Sequence, residues 1–168
     1  MSLERDGAPP LIPIPTPDLH LSLSRTVPIV DAQRHSLLAE LTKAIHKVVK
    51  KARTTTRTTF KPLDVRIGDG TLFLTNDDRS RTFLALTADD GHAPSLLHAL
   101  VDATSSVFTR HGLPGYYEEK RMHVSIAWCP GDGRGLRASP VHSPCPPFIL
   151  SVDSVTCRIG KKDHSIDL

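Results

Sequence analysis

The chain has 168 residues, with 21 lysines and arginines against 18 aspartates and glutamates, a net charge of +3. This is one domain's length, and 39% apolar with 23% charged residues supports a packed core and excludes global disorder. No apolar run reaches the roughly 18 residues of a membrane span, the charged and then proline-rich start is neither a signal nor a transit peptide, and three cysteines form no disulfide framework.

The cysteines, Cys129, Cys145 and Cys157, include no Cys-x-x-Cys pair, which fits a reduced intracellular compartment. Cys145 lies near His142, but no second pair stands at ligand spacing, so no structural metal is expected. The basic balance fits a polyanionic partner without requiring one.

In chain order, Pro9, Pro10, Pro13, Pro15 and Pro17 make residues 1–18 an extended arm, because proline supplies no amide donor and restricts the residue before it. Residues 19–168 are then the domain proper. Residues 20–24 read as a strand. Asp31 is placed to cap a helix whose apolar positions Leu37, Leu41, Ile45, Val48 and Ala52 follow a 3.6-residue period. The other face of that helix is basic, with Arg34, Lys43, Lys47 and Lys50, and the run continues through Lys51, Arg53, Arg57 and Lys61. Such a row is read as the solvated side of a helix, with attraction of RNA phosphates as the rival reading.

Residues 63–67 and 71–75 read as strands joined by a hairpin turn at Gly68-Asp69-Gly70, and residues 82–87 as a further strand. A second helix is predicted from Pro94, a favoured first-turn residue, to Gly112, with Leu97, Leu100, Val101, Thr104, Val107 and Phe108 as its buried stripe. Residues 123–128 and 148–159 complete the strands. Gly131-Asp132-Gly133-Arg134-Gly135 reads as a turn, and the prolines from Pro140 to Pro147 as a surface loop. The order predicts an α+β domain, with helices packed on a mostly antiparallel sheet.

The most informative feature is a repeat. His20-Leu21-Ser22-Leu23-Ser24 recurs as His123-Val124-Ser125-Ile126-Ala127. Residues two apart on a strand share a face, so each His projects with its Ser, while Leu21, Leu23, Val124 and Ile126 are expected in the core. Two imidazoles can divide the acid and base roles of a proton-transfer reaction near neutral pH, and two hydroxyls can hydrogen-bond non-bridging phosphoryl oxygens. That is the equipment for metal-free transfer at a phosphodiester.

These residues resemble the two-histidine phosphoesterase superfamily, marked by two His-x-Ser/Thr motifs. Within it the chain is most similar to the U6 small nuclear RNA 3′-end phosphodiesterases. The similarity is carried by His20-Leu21-Ser22-Leu23-Ser24-Arg25-Thr26-Val27 and by His123-Val124-Ser125-Ile126-Ala127-Trp128-Cys129. It extends to Leu72-Phe73-Leu74-Thr75-Asn76, Arg81-Thr82-Phe83-Leu84-Ala85-Leu86 and Cys157-Arg158-Ile159-Gly160-Lys161-Lys162, and so runs from about Leu19 to Leu168.

The resemblance implies a bilobal fold with antiparallel sheets lining a central groove and helices outside. It implies 3′→5′ trimming of the oligouridine tail of U6 RNA, in the nucleus and in the service of mRNA splicing, by a monomer without metal or other cofactor. A 2′-hydroxyl would attack the adjacent 3′-phosphate and leave a 2′,3′-cyclic phosphate, which some members then open. His20 and His123 would be the acid–base pair, with His123 favoured as base and the order left open by the sequence. Ser22 and Ser125 would hold the phosphate, and Tyr117 would stack on the terminal base, the rival reading being that Tyr116 or Tyr117 fills a loop. Trp128 is read as core. Family members carry an additional strand ahead of the first motif, so the proline-rich arm either replaces that strand or marks a shortened form. Two other readings stay open: a general 2′,3′-cyclic or 2′-5′ phosphodiesterase, and a non-catalytic RNA-binding form.

Overall fold

The computed structural model describes residues 9–56, 63–91, 95–134, 136 and 146–168. Arg57, Lys61, Pro94, Gly135, Pro140, His142 and Cys145, on which parts of the sequence reading fall, lie outside these residues. By internal contacts the chain divides into two units. One contains the described residues of Met1–Ser22, Arg66–Ala88 and Arg121–Phe148, and the other those of Leu23–Val65, Asp89–Lys120 and Ile149–Leu168.

The second unit holds both helices. α2 (Leu96–Arg110) is capped by Ser95, whose hydroxyl accepts from the His98 amide at 3.1 Å, while the buried Asp90 carboxylate takes the Leu97 amide at 2.7 Å. Its C-terminus closes by the paired bonds Leu113 N–H to Phe108 carbonyl and Gly112 N–H to Thr109 carbonyl. The buried stripe is Leu97, Leu100, Val101, Thr104, Val107 and Phe108, the six residues that helical spacing selects.

α1 (Arg34–Thr56) differs from expectation at its start. Asp31 opens a 3₁₀ turn, Asp31–Gln33, and pairs with Arg34 at 3.0 Å instead of capping the helix. Gln33 does more. Its side-chain oxygen accepts from the Val30 amide, and its nitrogen donates to the His111 carbonyl, each at 3.0 Å, tying the start of α1 to the end of α2. Leu37, Leu41, Ile45 and Val49 are buried at strict four-residue steps, which leaves Val48 at the half-buried margin. Leu37 and Leu41 pack on Val107 and Phe108, joined by Val27, Ile29, Ala44, Leu113 and Cys157. Burial pushes the Cys157 thiol up. Glu40 accepts from Arg110 at 3.0 and 3.2 Å and from His111 at 3.1 Å, and the Arg110 bond holds its carboxyl below the usual range. Lys43, Lys47, Lys50 and Lys51 are exposed.

Also in this unit, the opening residues of β2 (Leu63–Thr75) lie beside β5 (Phe148–Val152), with Ser151 donating to Asp64. β6 (Ser154–Ile159) and β7 (Lys162–Asp167) form an antiparallel hairpin. The single strand predicted over residues 148–159 is thus two, interrupted at Asp153, whose carbonyl accepts from the Leu168 amide at 2.8 Å.

The first unit is a sheet in the order β1 (Ile12–Pro13), β4 (His123–Pro130), β3 (Arg81–Asp89, as far as Ala88) and the remainder of β2. Two expectations are corrected here, and the proline-rich stretch gains a pairing. The predicted hairpin at Gly68-Asp69-Gly70 does not form, and β2 runs straight through. Gly68 takes φ 98°, which shifts the strand's facing by one residue so that Ile67 and Gly68 are both buried. Asp69 pairs instead with Arg66 at 2.7 Å. The true turn is at Asn76, whose amide donates to the Arg81 carbonyl at 3.0 Å while its side-chain oxygen accepts from the Arg81 amide at 2.9 Å. The predicted strand over residues 20–24 shrinks to one bridge, Leu21 to Val124, because the chain bends at residues 23–24. Lastly, part of the proline-rich stretch itself pairs with β4, Ile12 opposite Trp128 and Pro13 opposite Ala127, with Ile14 donating to the Ile126 carbonyl at 2.9 Å. Proline is tolerated there because β1 is an edge strand.

Past β4, Gly131 donates to the Ser80 carbonyl and accepts from the buried Thr82 hydroxyl. Gly133 takes φ 68°, and a Cβ on it would lie 2.8 Å from the Thr82 methyl. Gly133→Ala should therefore cost about 1–3 kcal/mol, from left-handed backbone strain plus that clash, seen as a lowered urea midpoint with unchanged slope. Full stability in this variant would contradict the described turn.

Candidate functional site: two His-x-Ser segments on one sheet face

Residues directly opposite each other in an antiparallel pair carry their side chains on the same face. Leu21 stands opposite Val124, and on its other edge Val124 stands opposite Leu86. Val124 and Leu86 are buried, so this is the interior face. The flanking residues His20, Ser22, His123 and Ser125 consequently share the other face. Regular continuation of that single bridge would set His20 across from Ser125, and Ser22 across from His123. In a regular ladder such diagonal neighbours lie roughly 7–8 Å apart, and their Cβ atoms somewhat closer.

The chain reaches this register through a 3₁₀ turn, Thr16–Asp18. That turn separates the β1 pairing with residues 127–128 from the Leu21 bridge at Val124. It also presents the Asp18 carbonyl to His20, which bonds it through Nδ1 at 2.7 Å. His123 makes the same contact with the Arg121 carbonyl through Nδ1 at 2.6 Å. A carbonyl oxygen only accepts, so each Nδ1 carries the proton and each Nε2 is left to take or give one. The two imidazoles are thus oriented alike, each by the carbonyl two residues before it, and no sequence signal marks a carbonyl.

On β3, Thr87 lies opposite His123 and Ala85 opposite Ser125. The Thr87 hydroxyl is engaged with the backbone of Gly70, accepting from its amide at 2.9 Å. Between Leu84 and Ala85 the register slips, leaving Ile126 as an extra residue on β4. The interior positions accordingly change phase, from Val124 to Ala127 and Cys129. Two expectations fall with this bulge. Ile126 is half-buried and not core, and Trp128 lies on the histidine face, in register with Ile12 and Phe83 and with the Arg81 guanidinium 4.7 Å above its ring centre.

Tyr117 belongs to the other unit. The residue is 40% exposed, the Arg25 guanidinium lies 3.8 Å from its ring centre, and Tyr116 meets that ring edge-on at 5.4 Å. Tyr116 is the anchor of this pair, with its amide donating to Ser105 of α2 at 2.9 Å and burial pushing its phenol up. Among the described residues no group of three or more His, Cys, Asp or Glu side chains is placed to hold a metal, and no helix is long and apolar enough to cross a membrane. Nitrogen-15 NMR of the neutral rings should find both His20 and His123 protonated at Nδ1. An Nε2-protonated ring at either position would contradict this geometry.

The chain matches the family described as "HVSL: Uncharacterised conserved protein" over residues 10–167. It is similar to U6 snRNA phosphodiesterase 1 of Homo sapiens, 34% identical over 68% of this chain and 38% of that protein. The same-named protein of Drosophila melanogaster is 27% identical over 92% of this chain and 57% of that one. The chain therefore spans between 38% and 57% of the length of these two relatives. Its fold is like that of Kluyveromyces marxianus Usb1, with a TM-score of 0.59 at 16% identity over 89% of this chain and 74% of that one. A second structure of that protein, with uridine monophosphate, gives a TM-score of 0.53 at 16% identity over 95% and 82% of the two chains. With an α+β fold of the Usb1 kind and a family match over nearly its whole length, the chain belongs to the HVSL family.

Proposed function

We propose that this chain is a 3′→5′ RNA exonuclease that trims the uridine-rich 3′ end of U6 small nuclear RNA without a metal. The observation that carries the reading is the shared face of His20, Ser22, His123 and Ser125, with both imidazoles fixed through Nδ1 to a carbonyl. The name of the relatives, U6 snRNA phosphodiesterase 1, and a Usb1 structure with uridine monophosphate support the substrate.

One neutral imidazole takes the proton of the 2′-hydroxyl on the penultimate nucleotide through its Nε2. The freed oxygen forms a bond to the adjacent phosphorus, and the bond from phosphorus to the 5′-oxygen of the last nucleotide breaks. The second imidazole, charged at the outset, gives its Nε2 proton to that departing oxygen. Both rings keep their Nδ1 bonds throughout. Ser22 and Ser125 donate to the non-bridging oxygens as charge builds on them. The products are a shortened RNA ending in a 2′,3′-cyclic phosphate and the released terminal nucleoside; opening of the ring by water would reverse the two roles. Because the two histidines are held alike, either order of base and acid is compatible with the site. Tyr117 stacks on the departing base, and the enzyme acts as a monomer in the nucleus.

Turnover of a 3′-hydroxyl oligouridine should persist in EDTA and follow a bell-shaped pH profile, since one ring must be neutral and the other charged. His20→Ala and His123→Ala should each lower kcat by on the order of 10²–10⁴, and Ser22→Ala or Ser125→Ala by on the order of 10²–10³. Wild-type turnover in His123→Ala, with the protein folded, would contradict the assignment.

A further inference from the structure

The histidine face does not end at the two motifs. Without the bulge at Ile126, simple alternation from His123 and Ser125 would bring Ala127 and Cys129 to that face and bury Trp128. With it, Ala127 and Cys129 are interior and Trp128 is turned outward, aligned across three strands with Ile12 and Phe83. Bulges beside functional sites commonly re-aim a side chain in this way. The row lies three residues along β4 from Ser125, about 10 Å away at strand rise. Ile12 is 42% exposed, and Arg81, opposite Pro130 on the same face, lays its guanidinium over the Trp128 ring. Among the described residues Arg81 pairs with no carboxylate.

An indole capped by a planar cation suits a nucleotide: the guanidinium offers a face to a base and N–H donors to a phosphate, and the ring keeps it flat. Position selects which nucleotide. An enzyme that removes the last residue of an RNA has a single nucleotide on the 3′ side of the broken bond, so any surface continuing beyond the site must meet the 5′ side. We propose that the Ile12–Trp128–Phe83 row with Arg81 is a subsite for a nucleotide upstream of the scissile phosphodiester, contacting its base through Arg81 and Trp128 and its phosphate through Arg81. This rests on reading the site as a 3′ exonuclease.

The subsite predicts that affinity grows with RNA length until the row is filled. Oligo-2′-deoxyuridines, which lack the attacking hydroxyl and stay intact, separate binding from turnover. Calorimetric Kd values for a dinucleotide and a pentanucleotide should show Arg81→Ala and Trp128→Leu weakening the pentanucleotide roughly tenfold more than the dinucleotide. The salt dependence of pentanucleotide binding should also fall by about 0.7 in log–log slope for Arg81→Ala. Arg81 is exposed, so its variant tests the subsite even where Trp128→Leu fails to fold. No pentanucleotide binding by the wild type, equal losses for both lengths, or no loss in Arg81→Ala overturns the subsite. RNA turnover by the wild type reports separately on the exonuclease reading.

Discussion

A pairing of two residues, Leu21 against Val124, brings the two His-x-Ser segments onto one sheet. Side chains alternate along extended backbone, so once these two are fixed on the interior face their four neighbours have no choice of side. A slip of one residue would send both histidines and both serines inward and bring Leu21 and Val124 out to water. The buried state of Val124 and its partner Leu86 is what opposes that slip. The apolar residues of the motifs thus specify the site as firmly as the polar ones do.

Two irregularities frame this pairing. The 3₁₀ turn at Thr16–Asp18 brings the first motif to its register on β4 and supplies the carbonyl that orients His20. The bulge at Ile126 lets β4 change phase just past the second motif, so that the strand carries His123 and Ser125 outward, buries Ala127 and Cys129, and carries Trp128 outward again. In the other unit, the α1–α2 packing is locked at one end by Gln33 and by Glu40 with Arg110 and His111. There Ser105 of α2 fixes the loop that presents Tyr117.

Where one regular period acts alone, the sequence was readable. All six buried residues of α2 follow from helical spacing, as do Leu37, Leu41 and Ile45 of α1. The family was readable too, because two copies of His-x-Ser with their flanks are informative where one would not be. What escaped is where the period breaks. Gly68 marks a change of facing within one continuous strand and not a turn. Trp128 was assigned to the core by counting through a bulge that only the pairing with β3 reveals. β7 carries one buried apolar residue within it, Ile166, so it has no alternation to detect. The Asp18 and Arg121 carbonyls leave no trace in side-chain identity at all.

In the proposed reaction the two histidines promote attack by a 2′-hydroxyl at the last phosphodiester of an RNA. The most direct measurement compares a short 3′-hydroxyl oligouridine in EDTA with a copy carrying a 2′-deoxy sugar at the penultimate nucleotide, reading product masses for both. The first should be shortened to products ending in a 2′,3′-cyclic phosphate, and the second should resist. Shortening of both at equal rates, or of neither by folded protein, would contradict it.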